Sequence, residues 1–164
     1  MNGREAIKAA LEGTRFIFNW YLQDLCDDDL FVRPAPTANH IAWQLGHTIA
    51  GDRILVSSQL PDVSFPEVPP GFLEAHSKEG AARNGTDGFL SKADYLALFD
   101  QVRTATIAAL DHLTDADLDR PAAGKVATFA PTLGHVFLLL SNHTLMHAGQ
   151  FTVVRRLLGK PVLL

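Results

Sequence analysis

Two histidines near the C-terminal end of the chain have a spacing that suits metal binding. His143 and His147 are four residues apart, so on a helix they lie one turn apart on the same face. That face also carries Leu140 and Phe151, which predicts that it points into an apolar core. Burying two imidazoles there is costly unless their ring nitrogens find partners, and a divalent metal satisfies both. The alternative is that one histidine packs against a hydroxyl such as that of Thr144 while the other is solvated.

A third ligand has to come from another helix. His135 precedes His143 by eight residues, which is about 12 Å along a helix axis and too far to share an ion. His47 is the candidate, because it lies mid-helix and its small neighbours, such as Gly46, leave room for an imidazole and a substrate. The remaining histidines are predicted at a helix cap or on the surface (His40) or in solvent (His76, His112).

Two other reactive side chains near these positions are predicted not to take part. Asp52 follows His47 by five residues, which turns it about 140° away on a helix. It is predicted to pair with Arg53 or Arg155 instead. Cys26 precedes a run of three aspartates, whose negative charges make a catalytic thiolate unfavourable.

Four stretches with helical apolar spacing must position these residues. They cover 7–25, a segment from 37 or 39 to 60, 91–113 and 133–158. Ser91 with Asp94 resembles a capping box, and Gly159 is placed as a C-cap. No stretch alternates with period two, so the sequence predicts an all-α four-helix bundle without a sheet.

The connections between these helices are unequal. Residues 61–90 contain four of the nine prolines and four of the twelve glycines, which excludes a long helix. A connection of that length is often a lid or a crossover, and its middle, residues 72–78, could form a short helix. Residues 115–130 form a second polar connection.

Composition restricts the class of protein. The 164 residues (17.9 kDa, 47% hydrophobic) predict one domain over 1–164. A net charge of −4 without a basic stripe argues against nucleic-acid binding. The apolar runs are too short for a membrane span, and charges interrupt any signal-peptide core. The single cysteine excludes an intramolecular disulfide. We therefore expect a cytoplasmic protein that acts on small molecules.

Three segments together resemble the DinB-like family. They are NHIAWQLGH at 39–47, NHTLMHAGQ at 142–150 and RRLLGKP at 155–161. The resemblance covers nearly the whole chain and implies an up-down-down-up bundle. It also implies a divalent metal, zinc or nickel, held by His47 together with the pair on the last helix. Relatives of this family include thiol-dependent S-transferases and a mycothiol-dependent maleylpyruvate isomerase.

The chemistry expected of such a site follows from its ligands. Three neutral histidines leave an ion its full charge and an open position, the pattern of catalytic sites. The resemblance favours a transferase that activates a low-molecular-weight thiol for attack on a small electrophile. Hydrolysis by a metal-activated water is the alternative, and a non-catalytic, stress-related metal- or ligand-binding protein is a third reading. Gln150 is predicted to contact a cofactor.

The aromatic residues of the first two helices predict self-association. Phe16, Phe18, Trp20 and Trp43 give these helices more apolar surface than one core-facing seam can bury. We therefore expect a homodimer.

Overall fold

The computed structural model describes residues 1–83 and 85–163 of the chain. Its α-helices are α1 (Gly3–Leu22), α2 (Ile41–Gln59), α3 (Phe72–Ala75), α4 (Lys92–Asp111), α5 (Asp115–Leu118) and α6 (Leu133–Leu157). Short 3-10 helices cover Asp28–Phe31, Glu79–Ala82 and Gly124–Thr128. Within the described residues the β-structure is limited to one isolated bridge, between Pro121 and Thr132. The four long helices α1, α2, α4 and α6 form the predicted all-α bundle.

Contacts along the helices give their directions. Near the start of α1, the Ala10 carbonyl accepts a hydrogen bond from Ser141, and near its end the Tyr21 carbonyl accepts one from Arg155, so α1 and α6 are parallel. Gln44 on α2 contacts His147 on α6, and Gly51, further along α2, lies against His143, which is earlier on α6. The helices α2 and α6 are therefore antiparallel.

Two ion pairs give the direction of α4. Lys8 pairs with Asp111 at 2.7 Å, and Arg15 pairs with Asp100, so α4 runs antiparallel to α1. The order is therefore up, down, down, up. Since α2 and α4 are parallel, the chain between them has to return along the length of the bundle. Residues 60–91 make this return, which explains the length of that connection.

Aromatic packing joins three of the helices at the centre. The ring of Phe18 on α1 lies 4.9 Å from that of Phe99 on α4 and 5.0 Å from that of Phe151 on α6. All three rings are fully buried. Burial of such side chains contributes roughly 1.5–3 kcal/mol each, so this contact is a main attachment of α1 to the bundle.

The helix ends agree with the sequence in most places. Ser91 caps α4 by accepting a hydrogen bond from the Asp94 amide, and Gly159 has a positive φ of 67° after α6, both as predicted. Two predictions were made for the start of α2: a cap at residue 37 or 39, which is wrong, and His40 at a helix cap or on the surface, of which the cap is confirmed. His40 caps α2, its Nδ1 accepting a hydrogen bond from the Trp43 amide at 3.1 Å.

The two connections contain the short helices. The predicted helix at 72–78 is confirmed in part by α3, and α5 lies in the second polar connection. Phe72 is buried in the core and Leu73, beside it, is 44% exposed. The long connection therefore packs one face of α3 on the bundle.

A buried ion pair lies between α2, α4 and α6. Arg103 and Asp52 are both completely buried, and their side chains approach to 3.1 Å. Arg103 also donates a hydrogen bond to Thr144 at 2.8 Å. The predicted pairing of Asp52 with Arg53 or Arg155 is therefore wrong.

Arg155 has a different partner because it lies in the last turn of α6, next to the end of α1. Its guanidinium is buried and bonds to Asp24, just after α1, which lowers the pKa of that carboxyl. Asp52 instead faces Arg103, and burial raises its pKa to about 6, although Arg103 acts in the opposite direction.

Exposed apolar side chains are more numerous on α6 than on α1 and α2, where the sequence predicts them. Phe18 and Trp43 are buried inside the chain, and the exposed aromatic residue of α1 is Phe16, at 65%. More of the exposed large apolar side chains lie on α6: Leu138, Leu145, Met146, Val153 and Leu157. The homodimer stays a prediction, which sedimentation at tens of micromolar protein tests; a monomer there would contradict it.

None of the described helices combines the length and the hydropathy that crossing a bilayer requires.

The buried ion pair gives a stability prediction. The Arg103→Met substitution should lower the free energy of unfolding by about 3–5 kcal/mol, because it leaves Asp52 buried without a counter-charge. The double variant with Asp52→Asn should recover about 1–2 kcal/mol, because no buried charge then remains. Urea denaturation of both variants measures this, and equal losses in the two would contradict it.

Candidate metal centre

The three predicted histidines converge at one place. His47 on α2 and His143 and His147 on α6 each offer one ligand atom, and these atoms all lie within 4.8 Å of one another. The Nε2 atoms of His143 and His147 are 3.1 Å apart. The geometry of this cluster is compatible with a divalent metal. The competing prediction, that one histidine packs on Thr144 while the other is solvated, is not what the structure has, since Thr144 bonds to Arg103.

Hydrogen bonds orient two of the rings. His147 Nδ1 donates to Gln44 Oε1 at 2.9 Å, and the Gln44 amide nitrogen donates to the Asn39 carbonyl at 2.9 Å, which fixes the direction of the amide. His47 Nδ1 donates to the His76 carbonyl at 3.1 Å. In both rings Nε2 is left with its lone pair, the form that binds a metal.

The electrostatic environment keeps the cluster neutral. Burial lowers the pKa of His143 to about 4 and that of His147 to about 3, and neighbouring histidines add to both shifts. Burial also lowers the pKa of His47, although its hydrogen bond to the His76 carbonyl acts in the opposite direction. Neutral imidazole is the ligand form of histidine, and no described carboxylate belongs to the cluster. The donor set therefore fits zinc or nickel better than magnesium or calcium.

His76 is the main correction to the histidine predictions. It was predicted to be solvated, yet it is 1% exposed. Its Nδ1 donates to the Phe72 carbonyl at 2.7 Å, and its Nε2 accepts from the Tyr95 hydroxyl at 2.6 Å. The ring lies against Gly46, where a Cβ atom would come within 2.0 Å of it. His76 therefore fixes the long connection to α2 and places the carbonyl that orients His47.

Trp43 supports the ring of His47 by stacking on its face. Its indole stacks on His47, with ring centroids 4.4 Å apart and an interplanar angle of 12°. Its Nε1 donates to the Ser77 carbonyl at 2.9 Å, next to the carbonyl that holds His47. Trp43 was predicted to contribute to a dimer surface, and no role was predicted for Gln44. The signal for Gln44 was its position as a polar residue three before His47 in an otherwise apolar stretch.

The other predicted residues lie away from the cluster. His112 and His135 are exposed, the former as predicted. Cys26 is exposed and does not line the pocket beside the histidines. Gln150 is exposed on α6, one turn beyond His147, and is not among the pocket-lining residues. Its contact with a cofactor stays a prediction.

A pocket opens beside the cluster. It has a volume of about 410 Å³, and His47 and His143 form part of its wall. Its other walls come from α2, α6 and both connections, and include Gly51, Leu73 and Phe129. A volume of this size holds a small organic molecule next to the histidines.

The close approach at Gly46 can be tested with a matched pair of glycines. Gly46→Ala should lower the free energy of unfolding by about 1–3 kcal/mol, because the new methyl group displaces the His76 ring. Gly149, on the outer side of α6, has no atom within 4 Å of an added Cβ. Gly149→Ala should therefore be neutral or should stabilise by up to about 1 kcal/mol. Thermal and urea denaturation compare them, and a neutral Gly46→Ala would contradict the contact.

The orienting role of Gln44 gives a second prediction. Gln44→Met keeps the volume but removes the acceptor for His147, so affinity for Zn²⁺ should fall about 10–100-fold. Competition with a chromogenic chelator measures the affinity. Gln101→Met, at an exposed position of α4, is the control. An unchanged Zn²⁺ affinity in the Gln44 variant would show that this hydrogen bond does not organise the site.

Two solved structures have the same fold as this chain. A protein from Enterococcus faecalis, described as the conserved protein of a locus, matches with a TM-score of 0.74 and 17% identity, over 98% of this chain and 99% of that one. YfiT from Bacillus subtilis matches with a TM-score of 0.66 and 16% identity, over 96% and 89% of the two chains. It is described as a probable metal-dependent hydrolase with an unusual four-helix bundle topology.

At these identities the two structures establish the fold alone. A search of curated proteins found no match. The family model of the DinB superfamily matches residues 10–151, which include all three histidines and all four long helices in whole or in part. The chain belongs to the DinB superfamily.

Proposed function

We propose that this protein is a metal-dependent transferase that activates a low-molecular-weight thiol for attack on a small electrophile. His47, His143 and His147 would hold the ion, zinc or nickel. The observation that supports this is the convergence of three neutral imidazoles beside an apolar pocket, with the outer nitrogens of His47 and His147 fixed by hydrogen bonds. A divalent ion in such a set supplies Lewis acidity and lowers the pKa of a thiol or a water that binds to it.

The residues of the chain have distinct roles in this proposal. Gln44 and the His76 carbonyl hold two ligand rings in position, so little reorganisation is needed during reaction. The long connection contributes Leu73, Ser77 and Lys78 to the pocket wall, and this wall restricts water near the histidines. Gln150, one turn beyond His147, is proposed to contact the thiol cofactor.

The thiol has to come from outside the chain. Cys26 is the one cysteine of the sequence, and its exposed side chain is absent from the pocket lining. A small thiol cofactor would supply the nucleophile instead.

A second candidate is hydrolysis, with water as the nucleophile. It is favoured by the similarity to YfiT, which is described as a probable metal-dependent hydrolase. It is also favoured by the pocket lining, which has few polar groups besides the histidines with which to hold a polar thiol. A third candidate is a non-catalytic, stress-related protein in which the ion stabilises the bundle or a ligand is bound without turnover.

Metal content and turnover test these candidates together. Protein purified without a histidine tag should contain about one divalent ion per chain, and His143→Ala should lose most of it because two imidazoles bind far more weakly than three. His112→Ala, at an exposed position on the C-terminal side of α4, is the matched control. Turnover of a chromogenic electrophile with bacillithiol, mycothiol or glutathione should fall at least about 100-fold in His143→Ala.

The other outcomes identify the other candidates. Metal-dependent turnover without any thiol would show hydrolysis. A large fall in melting temperature on chelation, without turnover and without a shift by any thiol or electrophile, would show a structural or binding role. Equal turnover in His143→Ala and in the unmodified protein would remove the metal from the mechanism.

A further inference from the structure

The pocket beside the histidines has an unusually uniform lining. Its apolar members come from four separate segments: Ala50, Gly51, Ile54, Leu55, Leu73, Phe129 and Leu139. Three of the large apolar side chains remain exposed although they surround one concavity, Ile54 at 57%, Leu73 at 44% and Phe129 at 66%. Apolar side chains exposed around a concave opening indicate a surface that a ligand covers.

The charge of the pocket lining is of one sign, positive. Lys78 is the one charged residue among the described lining residues, since the histidines are neutral, and none of the lining residues is acidic. Lys78 is exposed and forms no ion pair within the described residues. Glu79 follows it in sequence. Hydrogen bonding from its own backbone and from the Ser77 side chain lowers the pKa of Glu79 most, and the charge of Lys78 has a smaller effect in the same direction. Glu79 lines neither the pocket nor the cleft beside it.

Lys78 also borders a second cleft. This cleft has a volume of about 310 Å³ and contains Arg33, and again no described acidic residue lines it. Arg33 itself donates hydrogen bonds to the carbonyls of Ala38, Ala81 and Arg83, which fixes its positive charge in place. Lys78 therefore lies between the two cavities and Arg33 lines the second cleft, while the space next to the histidines is apolar.

We propose that the substrate is a small apolar molecule with one carboxylate, whose apolar part fills the pocket beside His47 and His143 and whose carboxylate lies at Lys78. This rests on the proposed function, because it places the reacting part of the molecule beside the ligand cluster. A cation is disfavoured by Lys78, and a sugar-like molecule would leave its hydroxyl groups without partners in the apolar lining. The carboxylate lies at the outer end, away from the histidines.

Binding of simple probes tests the substrate class without turnover. Butanoate, hexanoate, octanoate and decanoate should bind the metal-loaded protein with affinity that rises about fourfold per methylene until the pocket is full. Hexanol should bind several-fold more weakly than hexanoate, and hexylammonium should not bind measurably. Calorimetry or thermal shift measures each affinity.

Variants locate the two ends of the probe. Lys78→Gln should reduce the affinity for hexanoate to that for hexanol and leave hexanol unchanged. Phe129→Ala should weaken both probes. Lys125→Gln, at an exposed position outside the pocket lining, is the control for charge. The proposal is wrong if Lys78→Gln still binds hexanoate more tightly than hexanol while His143→Ala does not. The carboxylate would then lie at the histidines.

The test separates this inference from the proposed function. Binding that depends on Lys78 and on chain length, without turnover in any assay, would support the substrate class and contradict the enzyme. Turnover without preference for apolar carboxylates over the alcohols and amines would support the enzyme and contradict the substrate class.

Discussion

The candidate site depends on the absence of a side chain at Gly46. Because α2 presents bare backbone there, the ring of His76 lies directly against the helix, closer than any Cβ atom would allow. This contact brings the His76 carbonyl within 3.1 Å of His47 Nδ1 and fixes the ring of the histidine that α2 contributes. It also holds the neighbouring Lys78 beside the pocket. One close approach therefore sets both the ligand geometry and a wall of the cavity.

The direction of the helices explains why that wall exists. Since α2 and α4 are parallel, the chain has to return along the bundle between them, and the return passes over the ligand cluster. In an up-down-up-down bundle this connection would be a short loop. Here the topology supplies some thirty residues. A few of them, from Phe72 to Lys78, are hydrogen-bonded to the bundle. The Ser77 carbonyl accepts from Trp43 on α2, and His76 accepts from the Tyr95 hydroxyl on α4.

Buried charge near the histidines is balanced within the bundle. Arg103 lies beneath the cluster, and its charge contributes to the lowered pKa of His143. Asp52 and the Thr144 hydroxyl partner Arg103, so the cation is held between α2, α4 and α6 and away from the pocket. The pair is an ion pair without a hydrogen bond, since both carboxylate oxygens of Asp52 and the Nε and Nη1 atoms of Arg103 have no hydrogen-bond partner among the described residues. The ligand cluster itself thus stays neutral and free of carboxylates.

The sequence by itself determined the four long helices and the identity of the three histidines. Helical apolar spacing is a local property, and two histidines four residues apart on an apolar face identify the face that α6 buries. It did not determine the partners of those residues. Asp52 pairs with Arg103 rather than with Arg53 or Arg155, and His76 is buried rather than solvated. These contacts join residues far apart in sequence, and nothing in the local pattern of either partner specifies the other. Only the tertiary structure decided them, because the parallel packing of α2 and α4 and the missing side chain at Gly46 set which surfaces meet.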